Sequence, residues 1–239
     1  MQYHPPAMPH PFSGRLPSLC AVCHAWPAQP LCEACVARFA QPLPRCSTCA
    51  LPLPQGLKQC GECLTTPPPL DACLAAVSYT FPWPALVADF KFNASPSWAG
   101  PFAQLVRSMP HVDAALDSAD WVLPMPLSTE RLRERGYNQA WELARRLAPR
   151  SAQAEPRLLL RILDSPPQSG LKRAERLRNL RTAFATDPLR AGLLKRMRVV
   201  LVDDVMTSGA SLHAAALALR AAGAAHITGL VFARTDPDH

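Results

Sequence analysis

The chain has 239 residues, 49% of them apolar and 18% charged, with 27 prolines and nine cysteines. This content suits one α/β domain with a small appended module and excludes a disordered chain, and no apolar run approaches the ~20 residues that span a bilayer. The net charge of +7 points to an anionic ligand because the basic residues cluster: Arg131, Arg133 and Arg135 in one group, and Lys172, Arg173, Arg176, Arg178 and Arg181 in another, with only Glu175 interspersed.

The first residues, MQYHPPAMPHPFSGRLPSL, are Pro-rich and read as a flexible segment over 1–19. They lack a basic stretch followed by an apolar one, so no secretory signal is expected. The chain is expected in the cytoplasm with its thiols reduced. Residues 20–66 form a cysteine module with four Cys-x-x-Cys pairs: Cys20 and Cys23, Cys32 and Cys35, Cys46 and Cys49, Cys60 and Cys63. The intervening loops have 8, 10 and 10 residues. Two residues between cysteines let both sulfurs of a tight turn face one point, and two such turns supply the four-thiolate tetrahedron that zinc accepts. Eight cysteines suffice for two structural zinc sites; the spacing leaves open whether consecutive or crossed pairs share an ion. A disulfide framework suits a reducing compartment poorly. Thioredoxin-like chemistry needs one pair beside a βαβ unit, and an iron–sulfur cluster fits the regular paired spacing less well. The module has too little apolar sequence for a core of its own. Cys73 stands alone in an apolar run and reads as a core residue, and His24 as exposed.

The break between modules is Thr65-Thr66-Pro67-Pro68-Pro69. Over 72–239 short β-like runs alternate with helical stretches, the pattern of a mostly parallel sheet flanked by helices. Strands are predicted at 74–80, 121–123, 198–203 and 227–233, and helices at 85–92, 98–109, 138–147 and 211–222. Residues 158–163 fit a strand or a helix end. Pro166, Pro167 and Gly170 mark a loop over 165–180 that carries the second basic cluster.

The most specific signal is Val199-Val200-Leu201-Val202-Asp203-Asp204-Val205-Met206-Thr207-Ser208-Gly209-Ala210-Ser211. Four aliphatic residues form a strand buried on both faces, and ligands in open α/β sheets bind beyond the carboxyl ends of such strands. Asp203 and Asp204 sit there, where they can accept hydrogen bonds from vicinal ribose hydroxyls. The loop then enters a helix, so its N–H groups and the helix N-terminus make an anion site for a phosphate. Gly209 permits close approach and unusual backbone angles. Thr207, Ser208 and Ser211 add hydroxyl donors, with Ser211 placed to cap the helix. A nucleotide-triphosphatase acidic strand would need a loop ending Gly-Lys-Ser/Thr, and a dinucleotide fold Gly-x-Gly-x-x-Gly; the chain contains neither. A 5-phosphoribosyl group is the expected ligand.

This segment resembles the signature of type I phosphoribosyltransferases. With the upstream cysteine pairs, the chain is similar to the ComF family from Cys20 to Arg234. Leu123-Pro124-Met125-Pro126-Leu127-Ser128 looks like the family's Pro-x-Pro-Leu segment. Arg131 with Arg135-Gly136-Tyr137-Asn138-Gln139 looks like its Arg-Gly-Phe-Asn-Gln, and Asp89-Phe90-Lys91-Phe92 resembles its Leu-Lys-Phe. Gln168, Leu171, Arg176, Asn179 and Phe184 match further positions. Pro124 and Pro126 have no N–H, so a pyrophosphate held there would take its donors from Met125, Leu127, Ser128 or the arginines.

The resemblance implies a type I phosphoribosyltransferase fold, phosphoribosyl pyrophosphate as substrate and magnesium bound with it. Asp203 and Asp204 would orient the ribose, and Val205, Met206, Thr207, Ser208, Gly209, Ala210 and Ser211 would cradle the phosphate. Met125, Leu127, Ser128, Arg131, Arg133, Arg135, Asn138 and Gln139 would surround the pyrophosphate. The loop 165–180 would close over the site, and Arg176 joins Asp203 and Asp204 as the expected catalytic set. For Asn138 and Gln139, helix capping is a comparable role. Lys91 reads as a surface lysine and His213 as structural. The resemblance also implies participation in DNA uptake during natural transformation, with the acceptor of the phosphoribosyl group unassigned. The alternative, from another functional class, is a module without turnover that senses a phosphoribosyl ligand or nucleotide, or contacts single-stranded DNA or a helicase-like competence partner through its cysteine module and basic loops, without membrane insertion.

Overall fold

A computed structural model describes residues 17–93, 95–162 and 183–236. Residues 1–16, most of the expected flexible segment, lie outside the described residues. So does 163–182, with Gln168, Leu171, Arg176 and Asn179. Ser18 pairs with Ala28 at the edge of the cysteine module.

The runs with apolar side chains of both parities become the strands, as a parallel sheet covered on both faces requires. In chain order they are β1 (Ala72–Ser78), β2 (Trp121–Pro124), β3 (Leu159–Arg161), β4 (Phe184–Thr186), β5 (Arg198–Met206) and β6 (His226–Arg234). The main sheet has the order β1-β6-β5-β2 with every pair parallel, while β3 and β4 form a separate antiparallel pair. Val199, Val200, Leu201 and Val202 of β5 are each at most 2% exposed. The helices are α1 (Glu33–Phe39), α2 (Gly61–Thr65), α3 (Trp83–Phe92), α4 (Ala99–Arg107), α5 (Val112–Asp117), α6 (Thr129–Arg135), α7 (Gln139–Leu147) and α8 (Ala210–Ala221).

Every strand and helix predicted for the domain occurs, with shifted ends. The stretch 98–109 opens as a 3-10 turn over Pro96–Trp98 before α4, and 158–163 resolves as the strand β3. The largest shift is in β5, which continues to Met206 rather than stopping at 203. Helices α1, α2, α5 and α6 were not anticipated; α1, α2 and α5 are short, and α6 buries no side chain, so apolar periodicity could not announce them.

Each sheet face carries its own apolar cluster. On one face Val199 and Leu201 pack with Leu212, Ala215 and Leu219 of α8 and with Cys46, Cys49, Cys60 and Cys63. The approach of α8 is close enough that a Cβ on Gly229 of β6 would stand 2.8 Å from Leu212 Cδ2. On the other face Val200, Val202, Leu230 and Phe232 pack with Trp83, Phe90, Phe102, Leu143 and Leu147. Phe232 stacks on Phe102 at 3.9 Å between ring centroids and meets Trp83 edge-on at 5.5 Å. No helix among the described residues is long and apolar enough to cross a membrane.

Candidate functional site

The cysteines resolve into two groups of consecutive pairs: Cys20, Cys23, Cys32 and Cys35, and then Cys46, Cys49, Cys60 and Cys63. Within each group the ligand sulfurs lie within 4.8 Å of one another. Zinc–sulfur bonds of about 2.3 Å in a tetrahedron give sulfur–sulfur edges of about 3.8 Å. The Cys23–Cys32 and Cys49–Cys60 sulfurs stand 3.5 and 3.7 Å apart, so both groups could hold zinc. The two repeat the same local construction. Cys32 N–H donates to Cys20 Sγ and Cys60 N–H to Cys46 Sγ, each at 3.4 Å. Burial works to raise the Cys20 and Cys46 thiols, but hydrogen bonds to their sulfurs outweigh it and bring both down to about 6, while burial and the neighbouring sulfurs push Cys32, Cys35, Cys49 and Cys63 up. Cys73 lies outside both groups, buried in β1 with its sulfur 3.7 Å from Met206 Sδ.

The segment from Val199 to Ser211 leaves the sheet where one neighbouring strand stops short. Strand β2 ends at Pro124, opposite Val202, while β5 runs on to Met206. Asp203 and Asp204 therefore stand beyond the end of their neighbour, in the crevice position where open α/β sheets bind ligands. Asp203 Oδ1 accepts from Asp204 N–H at 2.9 Å, and Asp204 Oδ1 from Val205 N–H at 2.7 Å. Burial first, and then the adjacent Asp204 charge, push the Asp203 carboxyl up to about 8, against the opposing pull of Lys91.

After Met206 the chain turns through exposed Thr207 and Ser208 to Gly209, and α8 starts at Ala210. Gly209 has φ +79°, and a Cβ there would stand 2.4 Å from Met206 Cε and 3.0 Å from His213 Nε2. The left-handed backbone conformation favours glycine, whereas the crowding is with the mobile end of the Met206 side chain and the His213 ring. The helix cap is Gly209, so the capping role expected of Ser211 is not met: Ser211 lies inside the first turn. The first-turn N–H groups of a helix have no intrahelical acceptor, and here they follow directly on the loop that leaves β5. His213 is half-buried, and its Nε2 has no hydrogen-bond partner among the described residues.

On the β2 side, Met125 N–H donates to Val202 carbonyl at 2.8 Å and so serves the sheet. Buried Ser128 caps α6, its Oγ accepting from Arg131 N–H at 3.2 Å. Leu127 is half-buried in that loop, and Arg131 and Arg133 are exposed on α6. Asn138 caps α7 by accepting from Trp141 N–H at 3.2 Å, and it donates to Met125 carbonyl at 3.0 Å.

The segment Arg135–Gln139 grips the end of α3 one residue at a time. Tyr137 hydroxyl donates to Phe90 carbonyl, Gln139 Nε2 donates to Lys91 carbonyl at 3.4 Å, and the Arg135 guanidinium lies 5.0 Å from the centre of the Phe92 ring. Arg135 also donates to Gln139 Oε1 at 3.0 Å. Held this way, Lys91 places Nζ 3.1 Å from Asp204 Oδ1. Lys91 is thus no free surface lysine but the counter-ion of the carboxylate pair. Sequence reasoning also passed over Arg234. The available signal was a charge closing an otherwise apolar run, Ile-Thr-Gly-Leu-Val-Phe-Ala-Arg.

A family model described as "Phosphoribosyl transferase domain" matches residues 138–237. The chain is 30% identical over 227 residues to the "DNA utilization protein YhgH" of Salmonella typhimurium, covering 92% of this chain and 98% of that protein. It is 30% identical over 172 residues to the "Competence protein F" of Haemophilus influenzae, with 70% and 74% covered. It is 40% identical over 104 residues to the "Competence protein ComFC" of Bacillus subtilis, with 44% and 40% covered. The similarity runs along nearly the whole length and coincides with a parallel sheet carrying the phosphoribosyl segment and with two four-cysteine groups. The chain belongs to the ComF family.

Proposed function

We propose that this protein binds phosphoribosyl pyrophosphate with magnesium and transfers the phosphoribosyl group to an acceptor, in a process linked to DNA uptake. The observation that carries this reading is the succession, at the end of β5, of Asp203 and Asp204, a short exposed loop and the glycine-capped start of α8. The N–H groups of residues 207–211 take the 5-phosphate, and the two carboxylates take the ribose hydroxyls. Asp203 and Asp204 offer oxygen donors of the kind an oxygen-seeking divalent cation takes, and such a cation would favour release of the proton that Asp203 holds up to about 8. Magnesium, when bound, supplies charge neutralisation for the pyrophosphate. Arg131 and Arg133 face solvent on α6, where they could meet the leaving pyrophosphate; Arg176, outside the described residues, is assigned to the same leaving group by the resemblance alone. Positive charge that develops on the sugar as the C1′–O bond breaks is stabilised by the adjacent carboxylates. Zinc in both four-cysteine groups is structural. The relatives' names, competence protein and DNA utilization protein, support the link to DNA uptake.

Calorimetric titration with phosphoribosyl pyrophosphate and magnesium, followed by a screen of acceptors for pyrophosphate release, tests the reading. Asp204→Asn is expected to weaken binding about 10- to 100-fold, or about 1.4–2.8 kcal/mol, with the circular dichroism unchanged. Unaltered affinity in both Asp204→Asn and Gly209→Val would remove it.

A second reading, nucleic-acid binding without turnover, is favoured by one observation. An open groove of about 500 Å³ is lined by Arg135, Tyr137, Arg145 and Arg146, with Glu142 bonded to the last two at 2.5 Å each. Neutralising Arg145 and Arg146 would then lower single-strand affinity and flatten its salt dependence. An enzyme whose only ligand is the sugar phosphate would show neither change.

A further inference from the structure

Arg234 closes β6 and is 7% exposed, between the second four-cysteine group and the loop that follows β5. Its Nε donates to Cys49 carbonyl at 2.9 Å. Its Nη1 donates to the carbonyls of Met206 at 3.3 Å, of Thr207, and of Thr235 at 2.6 Å. Cys49 belongs to the second four-cysteine group, and Met206 and Thr207 open the phosphoribosyl loop. A planar guanidinium with a rigid fork of donors can hold two backbone segments in fixed mutual orientation, which a lysine ammonium on a flexible stem cannot do. Cys73 fastens the same two segments: its N–H donates to Ser47 carbonyl at 2.8 Å, and its sulfur touches Met206.

The grip on the carbonyls also sets the direction of the donors. In a planar trans peptide the C=O and the following N–H point in opposite directions. With the carbonyls of Met206 and Thr207 drawn toward Arg234, the N–H groups of Thr207 and Ser208 are turned away from it. These are donors of the anion site. The first four-cysteine group has no part in this. It reaches the domain on the opposite sheet face, where Leu31 and Ala40 join the cluster around Trp83 and the Trp83 indole N–H donates to Phe39 carbonyl at 3.1 Å.

We propose that Arg234 is a positioning residue for the phosphate donors, and that through it metal at Cys46, Cys49, Cys60 and Cys63 binds cooperatively with the phosphoribosyl ligand, while metal at the first group is independent of the ligand. The inference rests on the phosphoribosyl reading above. Coupling of this kind is reciprocal: whatever the metal does for ligand affinity, the ligand does for metal affinity.

The reciprocal half can be measured without turnover. Zinc-loaded full-length protein is mixed with a chromogenic chelator, with and without saturating ribose 5-phosphate, a probe that lacks the zinc-binding pyrophosphate. Cys23→Ser, which disables the first group at its exposed cysteine, assigns the remaining release phase to the second. Ribose 5-phosphate is expected to slow release from the second group about five- to tenfold and to leave the first unchanged. Arg234→Lys keeps the charge but not the fork. It is expected to retain zinc at both groups, bind the probe about tenfold more weakly and lose the protection even at saturation. A merely structural arginine would weaken binding while leaving protection at saturation intact, and that result overturns the proposal. Calorimetry on the same samples separates the failures. A probe that binds without protecting zinc overturns the coupling alone; a probe that does not bind zinc-loaded wild-type protein overturns the phosphoribosyl reading and the coupling with it.

Discussion

The two four-cysteine groups share their pairs, their N–H···S bonds and a helix that begins just after the third cysteine, yet they occupy different surroundings. All four cysteines of the second group are buried, and they lie in one apolar cluster with Leu201, Met206 and Leu212. In the first group Cys23 is exposed and Cys32 half-exposed. Ligand spacing therefore says what a site can hold, and burial says what depends on it. The second group is part of the core under the phosphoribosyl loop; the first is fastened to the domain's far face.

The sharpest way to break this contrast is to remove one sulfur from each group. Structural zinc contributes about 10–16 kcal/mol in small zinc modules, while a whole domain has a net stability of only about 5–15 kcal/mol. Cys63→Ser is therefore expected to abolish soluble, folded protein, read by yield and circular dichroism. Cys23→Ser should lose one zinc per chain and keep both cooperative unfolding and ligand affinity. Equal damage from both variants would erase the distinction.

A smaller effect probes how the first group is attached. Trp83→Phe deletes the hydrogen bond to Phe39 carbonyl and leaves unfilled volume beside Phe232. Together these are expected to destabilise the protein by about 2 kcal/mol, or about 6 °C in thermal midpoint. Affinity for phosphoribosyl pyrophosphate should not move, and a tenfold drop would mean that the first group also reports to the loop.

The loop itself gives an effect that appears only as pH rises. Asp203 binds its proton more tightly when folded, near 8, than as an ordinary carboxyl. Between those two values the folded state holds more protons than the unfolded one, so this group lowers stability as pH rises. Asp203→Asn should raise the midpoint of ligand-free protein at pH 8 and leave it almost unchanged at pH 4. A gain that is the same at both pH values would show that the carboxyl carries no such penalty.

The strand β5 and the cysteine pairs were legible because each signal is local: an apolar run before two carboxylates, and two-residue spacers. The sharing of consecutive pairs was not, since consecutive and crossed arrangements use the same spacers. Lys91 was missed because its partner Asp204 lies far along the chain, and a lysine near a helix end ordinarily faces water. Asn138 and Gln139 were read as ligand contacts or caps. Asn138 does cap α7, but the bonds from Asn138 to Met125 and from Gln139 to Lys91 depend on tertiary packing that no local pattern encodes. Helix α6 was invisible for the opposite reason. Its sequence, Thr-Glu-Arg-Leu-Arg-Glu-Arg, has no apolar stripe, and its ends are set by the Ser128 cap and by Gly136 in the left-handed conformation.

The three-point grip on α3 makes helical phase a functional variable. An α-helix turns about 100° per residue. One residue inserted between Trp83 and Lys91 would carry the lysine a quarter-turn or more around the axis, away from Asp204, and would bring Phe90 to the place where Lys91 now meets Gln139. Point substitutions on α3 can be absorbed one at a time, but a change of length cannot, unless the Arg135–Gln139 segment shifts with it. Insertions and deletions in this part of the chain should therefore be tolerated only before Trp83 or after Phe92, where the helix has no phase to lose.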